Sequence, residues 1–249
     1  MQNETLQKES LNSKEKEYLS LVSENEELKR LKSQRIKSSP LKFYWPHTEN
    51  CDGTQCHTVS NTYTDAYGIQ YTIKGCPQYF FHISDADVRC FFGSNRSGKT
   101  TAGIVESSFH LTGIYPDWYP IERRYSEPVK SRILANDFKK AVGEVITEAI
   151  DDWLPDNLVH DKDKNSQGIY DKYWIKHKSG GVSSFDIITY EQDVSVAEGW
   201  SGHFAWYDEP PPRGHRIATA RGLMDYDGWE IFTLTPLKEA WIFDELWSQ

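Results

Sequence analysis

The chain has 249 residues, with 28 Lys and Arg against 37 Asp and Glu and a formal net charge of −9. That length builds one sizeable core plus a smaller appendage, and the acidic balance argues against a protein that coats DNA while leaving room for a local basic patch. No apolar run reaches the length of a membrane span and the polar N-terminus lacks a signal-peptide core, so a cytosolic protein is expected.

Residues 1–38 read as a separate helical tail. Tyr18, Leu21, Asn25 and Leu28 fall at heptad a and d spacing, with Leu11 one heptad before Tyr18 and Lys14 breaking the seam. A short, weak coiled coil, a single solvated helix and a disordered tail all fit this pattern. The basic run Lys29, Arg30, Lys32, Arg35 and Lys37 suits either phosphates or a solvated face. Ser38-Ser39-Pro40 then stops the helix.

Residues 41–87 are aromatic and turn-rich, and "NTYTDAYGIQYTI" alternates like a hairpin around Gly68. His47, Cys51, Cys56, His57 and Cys76 invite a zinc reading. However, C-x4-C matches no strong zinc signature, and the adjacent Cys56 and His57 cannot easily share one tetrahedral ion. Reduced structural thiols, Cys90 included, are the expectation.

From "VRCFF" onward, strands and helices alternate. A helix is expected from Lys99 to about Leu111, a strand in "VKSRILA", and a helix capped by Asp137 that buries Val142, Val145, Ile146 and Ile150. "YWIKH" and "VSSFDIITY" flank Lys178-Ser179-Gly180-Gly181 as a hairpin. "HFAWY", "WEIFTL" and "EAWIFDELW" follow as strand, strand and helix. This alternation predicts an α/β fold, a mostly parallel sheet with helices on both faces.

Gly93-Ser94-Asn95-Arg96-Ser97-Gly98-Lys99-Thr100 satisfies the phosphate-loop pattern G-x-x-x-x-G-K-S/T in full. Glycines let backbone N–H groups curl around phosphate oxygens, and the helix that starts at Lys99 and continues through Thr101 aims its positive end at the same anion. Lys99 would reach the β- and γ-phosphates of ATP, and the Thr100 hydroxyl would ligate Mg²⁺. Such a loop needs a second carboxylate site. "HFAWYDEPPP" supplies one, with Asp208 expected on the metal and Glu209 as the base for the attacking water.

The order of these motifs resembles the ATPase half of the large terminase subunits of tailed bacteriophages, motors that pump DNA into capsids. "FFGSNRSGKTTAGIVESSFHLTGIYPDWYP" is similar to that family's glycine loop and following helix, with Ser94 where many relatives carry a second glycine. "CPQYFFHISDADVR" resembles the segment in which a glutamine, here Gln78, reads the adenine edge beside an aromatic such as Phe81. "SRILANDFKKAVGE" looks like the second-strand motif, and "WEIFTLTPLKEAWIFDEL" like the coupling motif. There a hydroxyl, Thr235 rather than Thr233, would face the γ-phosphate. The resemblance covers about Phe43 to Gln249, apart from the Cys-containing stretch around residues 47–75.

What the resemblance implies is a RecA/ASCE-like P-loop NTPase domain over residues 39–249, with ATP and Mg²⁺ as cofactors. The implied partners are double-stranded DNA, a portal protein, a small terminase subunit and further copies in a ring. The implied location is the host cytoplasm. Arg96 is the candidate nucleotide contact within the loop. Among Arg213, Arg216 and Arg221, Arg221 is the candidate finger reaching a neighbouring subunit's nucleotide. The family joins this domain to a nuclease, and the short stretch after Pro236 leaves no room for one, so ATP hydrolysis without DNA cleavage is expected. The rival readings are a helicase-like or a regulatory P-loop ATPase acting on nucleic acid. An acidic pair beside a full glycine loop favours turnover over slow switching.

Overall fold

A computed structural model of the chain describes residues 13–44, 46, 59–64, 70–75, 77–235 and 239–247. The chain divides into two units, Met1–Pro40 and Leu41–Gln249. The first carries helix α1 (Ser13–Ser38), a polar helix along which Tyr18, Leu21 and Leu28 are exposed. An exposed Glu27–Arg30 pair at 2.6 Å spans one turn of it. Helix α1 stops where Ser39-Pro40 was expected to stop it. Pro40 opens the one-turn helix α2 (Pro40–Phe43), a position where its missing N–H forfeits no helical bond.

Strands β1 (Val59–Thr64) and β2 (Gln70–Gly75) form the expected antiparallel pair, with Thr62 opposite Thr72. The zinc candidates His47, Cys51, Cys56, His57 and Cys76 lie outside the described residues. Helix α3 (Pro77–Ile83), which periodicity did not announce, leads into β3 (Val88–Phe92). Helix α4 (Lys99–Thr112) and strand β4 (Lys130–Ala135) follow. A π-helical stretch, Phe138–Ile146, then continues into α5 (Thr147–Trp153). Next come β5 (Val159–Lys164), β6 (Tyr170–Lys176), β7 (Val182–Thr189) and β8 (Phe204–Asp208). Helix α6 (Arg213–Leu223), strand β9 (Trp229–Leu234) and the short helix α7 (Ala240–Ile242) with its π-helical extension Phe243–Trp247 complete the unit.

Seven strands form one sheet in the order β3-β9-β8-β4-β7-β6-β5. The first five run parallel, and β6 and β5 add antiparallel. This is the mostly parallel α/β sheet expected, with β9 inserted between the glycine-loop strand and the acidic strand. Side chains alternate across it, as a period of two requires. Ile133, Phe204, Trp206, Trp229 and Ile231 face the layer of α4 and α5. Leu134, Ala205, Tyr207, Phe232 and Leu234 face the layer of α6 and α7. Stacked cross-strand pairs Phe204–Trp229 and Tyr207–Phe232, with centroids 4.6 and 4.4 Å apart, lock β8 to β9 on both faces.

Asp137 caps its helix as expected, accepting from the Lys140 N–H at 2.6 Å. Val145 departs from expectation, because it is 47% exposed rather than buried. The reason is winding. The π-helical stretch bonds i to i+5, so Phe138, Val142, Ile146 and Ile150 share the buried face at a spacing of four and Val145 swings outward.

Candidate nucleotide site

Parallel strands β3, β9, β8 and β4 all end on one side of the sheet, the side on which open α/β sheets bind ligands. The loop Gly93–Gly98 leaves β3 there. The Gly93 N–H donates to Leu234 O at 3.2 Å, tying the loop's start to β9. Ser97 N–H donates back to Ser94 O at 3.3 Å, and Ser94, Asn95 and Arg96 form an exposed turn in which Arg96 has φ 63°. Gly98 adopts φ 83°, and any Cβ there would strike Gln78 Nε2. Only glycine meets both demands.

Helix α4 begins at Lys99 with no side chain capping its first turn, which leaves the N–H groups of that turn, Thr101 included, without a side-chain acceptor. The Lys99 side chain is buried, donating to Ser94 O at 3.0 Å and lying 3.8 Å from Glu209 Oε1. A buried ammonium beside uncapped helical N–H groups is the donor set that an anion such as a nucleotide phosphate requires.

Across the cleft, Asp208 ends β8 and is buried. Its Oδ1 accepts from Thr233 at 2.9 Å and from Thr100 at 3.4 Å. Burial is the main force raising its pKa to about 6, with the nearby Glu209 charge adding to it and the two threonine bonds opposing it. A buried carboxyl group beside a hydroxyl offers hard oxygen ligands, so Thr100 and Asp208 fit Mg²⁺. Glu209 follows in a left-handed conformation, φ 68°. Its carboxylate accepts from Thr235 N–H at 3.0 Å, while the Thr235 hydroxyl lies 3.1 Å from Gly93 O and 3.4 Å from Glu209 Oε1, with one proton to share between them.

The fold thus brings Lys99, Thr100, Asp208, Glu209, Thr233 and Thr235 into one cleft, with Thr233 on the Asp208 carboxylate and Thr235 on that of Glu209. Gln78 donates to Gly98 O at 3.1 Å, bracing the loop from α3. Phe81 is 5% exposed and packs in the core beside Phe91 and the Arg89 guanidinium. Arg213 and Arg216 are both engaged in ion pairs with acidic side chains. Arg213 pairs with Glu245 at 2.7 Å, and Arg216 with Glu230 at 3.0 Å and Glu245 at 3.2 Å. Glu245 therefore serves both arginines. Arg221 sits near the end of α6, beside Gly222, whose carbonyl accepts from Gly202 N–H ahead of β8. The length of β8, roughly 13 Å at about 3.3 Å per residue, separates that end from Asp208, so Arg221 does not serve its own chain's cleft.

Two features escaped the sequence reading. Tyr190, just beyond β7, donates to Glu209 O at 3.0 Å; that contact depends on strand order and leaves no local pattern. Glu106 lies fully buried in α4, within 2.6 Å of Arg89, 2.7 Å of His82, 2.7 Å of Tyr119 and 3.3 Å of His110. Burial opposes its charge, but Arg89 and the histidine bonds hold its carboxyl well below the usual range. A lone glutamate inside the apolar run "AGIVESSFHL" was the available signal. Cys90, the free thiol among the described residues, is pushed up to about 12 by burial and stays protonated.

The chain is 27% identical over 189 residues to the terminase large subunit of Salmonella phage P22, an alignment covering 61% of this chain and 36% of that one. It thus spans about a third of that relative's length. A solved large terminase from a thermophilic bacteriophage superposes with a TM-score of 0.49 and 12% identity, covering 68% of this chain and 42% of the other. Residues 90–248, which include the glycine loop, the acidic pair and strand β9, match the model of the N-terminal part of T4-like terminase large subunits, and the chain belongs to that family.

Proposed function

We propose that this chain is the ATP-hydrolysing motor domain of a DNA-packaging terminase. The observation that carries the reading is the meeting of Lys99, Thr100, Asp208 and Glu209 at the carboxyl ends of β3, β8 and β9. Lys99, the loop Gly93–Gly98 and the first turn of α4 with Thr101 would bind the phosphates, and Gln78 would stand on the adenine side. Thr100 and Asp208 would hold Mg²⁺, which supplies charge neutralisation at the phosphate oxygens. Glu209 would take the proton of the attacking water, and catalysis would rest on positioning and electrostatics. Thr235 bonds both Glu209 and Gly93, so it would couple the base to the loop.

Double-stranded DNA is the substrate moved, with a portal protein and a small terminase subunit as partners and a ring of copies as the working form in the host cytoplasm. Among the described residues no helix is long and apolar enough to cross a membrane. The test is turnover of Mg²⁺-ATP by purified protein. Lys99→Ala should weaken nucleotide binding and turnover together. Glu209→Gln should keep ATP bound while slowing hydrolysis by roughly 10²–10⁴-fold, the usual share of a positioned base. A parental rate in Glu209→Gln would remove the base assignment. An absence of portal-dependent DNA uptake into empty capsids would remove the packaging role.

A further inference from the structure

Glu209 is a non-glycine residue in the left-handed region, φ 68°, and it is followed by Pro210. That conformation is uncommon for a side-chain-bearing residue and persists where the surroundings impose it. Two contacts impose it here. The Glu209 N–H donates to Thr233 O at 3.0 Å, the bond that closes the Asp208–Thr233 pair at the end of the β8–β9 ladder. On the other side of the same residue, the Glu209 carbonyl accepts from Tyr190 Oη at 3.0 Å.

Tyr190 is itself anchored. Its backbone N–H donates to Ala135 O at 2.9 Å, and its hydroxyl also lies 3.1 Å from Leu134 O and 3.5 Å from Asp208 O. The phenol thus lies between the carboxyl ends of β4 and β8, with the Glu209 carbonyl the nearest acceptor for its single proton. With the backbone held in this turn, the Glu209 carboxylate points back into the cleft, 3.8 Å from Lys99 and bonded to Thr235.

We infer that Tyr190 is the positioning residue for Glu209: its hydroxyl holds the left-handed turn that aims the carboxylate at the glycine loop. The inference rests on the reading of Glu209 as the base in ATP hydrolysis. It gives the strand order a catalytic consequence, since the end of β7 is brought to the acidic strand across β4.

The test uses the full chain with Tyr190→Phe, Glu209→Gln and the double variant, scored for kcat, KM for Mg²⁺-ATP and equilibrium affinity for a fluorescent ATP analogue. Tyr190→Phe keeps the ring and its packing. It should lower kcat by roughly 10- to 100-fold, the scale of a catalytic group displaced by about 1 Å, with KM and nucleotide affinity within about twofold. In the Glu209→Gln background the same change should have no further effect on kcat. Tyr207→Phe is the comparator: it removes an equally buried hydroxyl from Glu230, so its loss should appear in the unfolding temperature with kcat held. A slow Glu209→Gln beside a parental Tyr190→Phe overturns the inference alone, as does a Tyr190→Phe defect that multiplies with Glu209→Gln. A Tyr190→Phe profile matching Tyr207→Phe overturns it too. A parental rate in Glu209→Gln strikes the base assignment and the inference with it.

Discussion

Trp206 donates its indole N–H to Thr233 Oγ1 at 2.8 Å in the fully buried centre of the sheet, and that hydroxyl passes its own proton to Asp208 Oδ1 at 2.9 Å. Thr233 has one proton to give, so the indole settles its direction: with an N–H pointing at the oxygen, the hydroxyl is driven to donate toward the carboxylate. A core aromatic thereby orients the carboxyl group proposed to hold Mg²⁺.

Thr233→Val tests that relay. It keeps the shape but leaves the Trp206 N–H buried without a partner and removes a donor from Asp208. A loss of about 1–3 kcal/mol in unfolding free energy is expected from the orphaned group. The Mg²⁺ concentration for half-maximal ATPase should rise as well. Denaturant unfolding and a Mg²⁺ titration read the two effects separately, and an unchanged Mg²⁺ requirement would detach Thr233 from the metal site.

Gly103 lies on α4 directly over the Trp206 indole, where an added Cβ would collide with the ring. The indole is fully buried, and it cannot yield without disturbing Thr233. Gly103→Ala should destabilise by about 1–3 kcal/mol through overpacking, against the usual gain from adding alanine to a helix. Thermal unfolding decides the sign, and a stabilised variant would refute this contact.

Acid sensitivity should centre on the cluster around Glu106. Its carboxyl is held well below its ordinary value and His110 is lowered mainly by burial, so the unfolded state takes up more protons than the folded one as pH falls. The cluster's contribution to stability is therefore full above about pH 6.5, begins to fall as the unfolded-state histidine protonates, and falls further below about 4.5 as the unfolded glutamate does. Glu106→Gln should cost about 3–5 kcal/mol at neutral pH by leaving the Arg89 guanidinium buried without its counter-charge. It should also flatten the pH profile of unfolding below about 4.5, where the lost carboxylate would have titrated. An unchanged acid limb would refute the assignment.

Arg221 stands at the opposite end of the sheet from its own chain's acidic pair, so a catalytic role needs a neighbouring copy. Specific ATPase activity should then rise with protein concentration. Mixing Arg221→Ala with Glu209→Gln should restore part of the activity that each lacks alone. A flat concentration dependence together with a harmless Arg221→Ala would sink the finger.

The linear order of residues settled whatever depends on neighbours along the chain. The glycine loop running into a helix, the apolar strand ending in Asp208-Glu209, the Asp137 cap and the Lys178–Gly181 hairpin all follow from short-range spacing, turn chemistry and period. The alternation of strands and helices was enough for a mostly parallel sheet. Tertiary structure decided what depends on strand order. Placing β9 between β3 and β8 gave Thr233 to Asp208 and Thr235 to Glu209, and bringing β7 against β4 delivered Tyr190 to the Glu209 carbonyl. It also turned Phe81 into the core, took Arg213 and Arg216 into ion pairs, and swung Val145 outward through a π-helical winding that apolar spacing does not encode. Local sequence sets which groups are present and which element carries them; the partner of each buried donor or charge is set by the neighbouring strand that leaves it no water to bond.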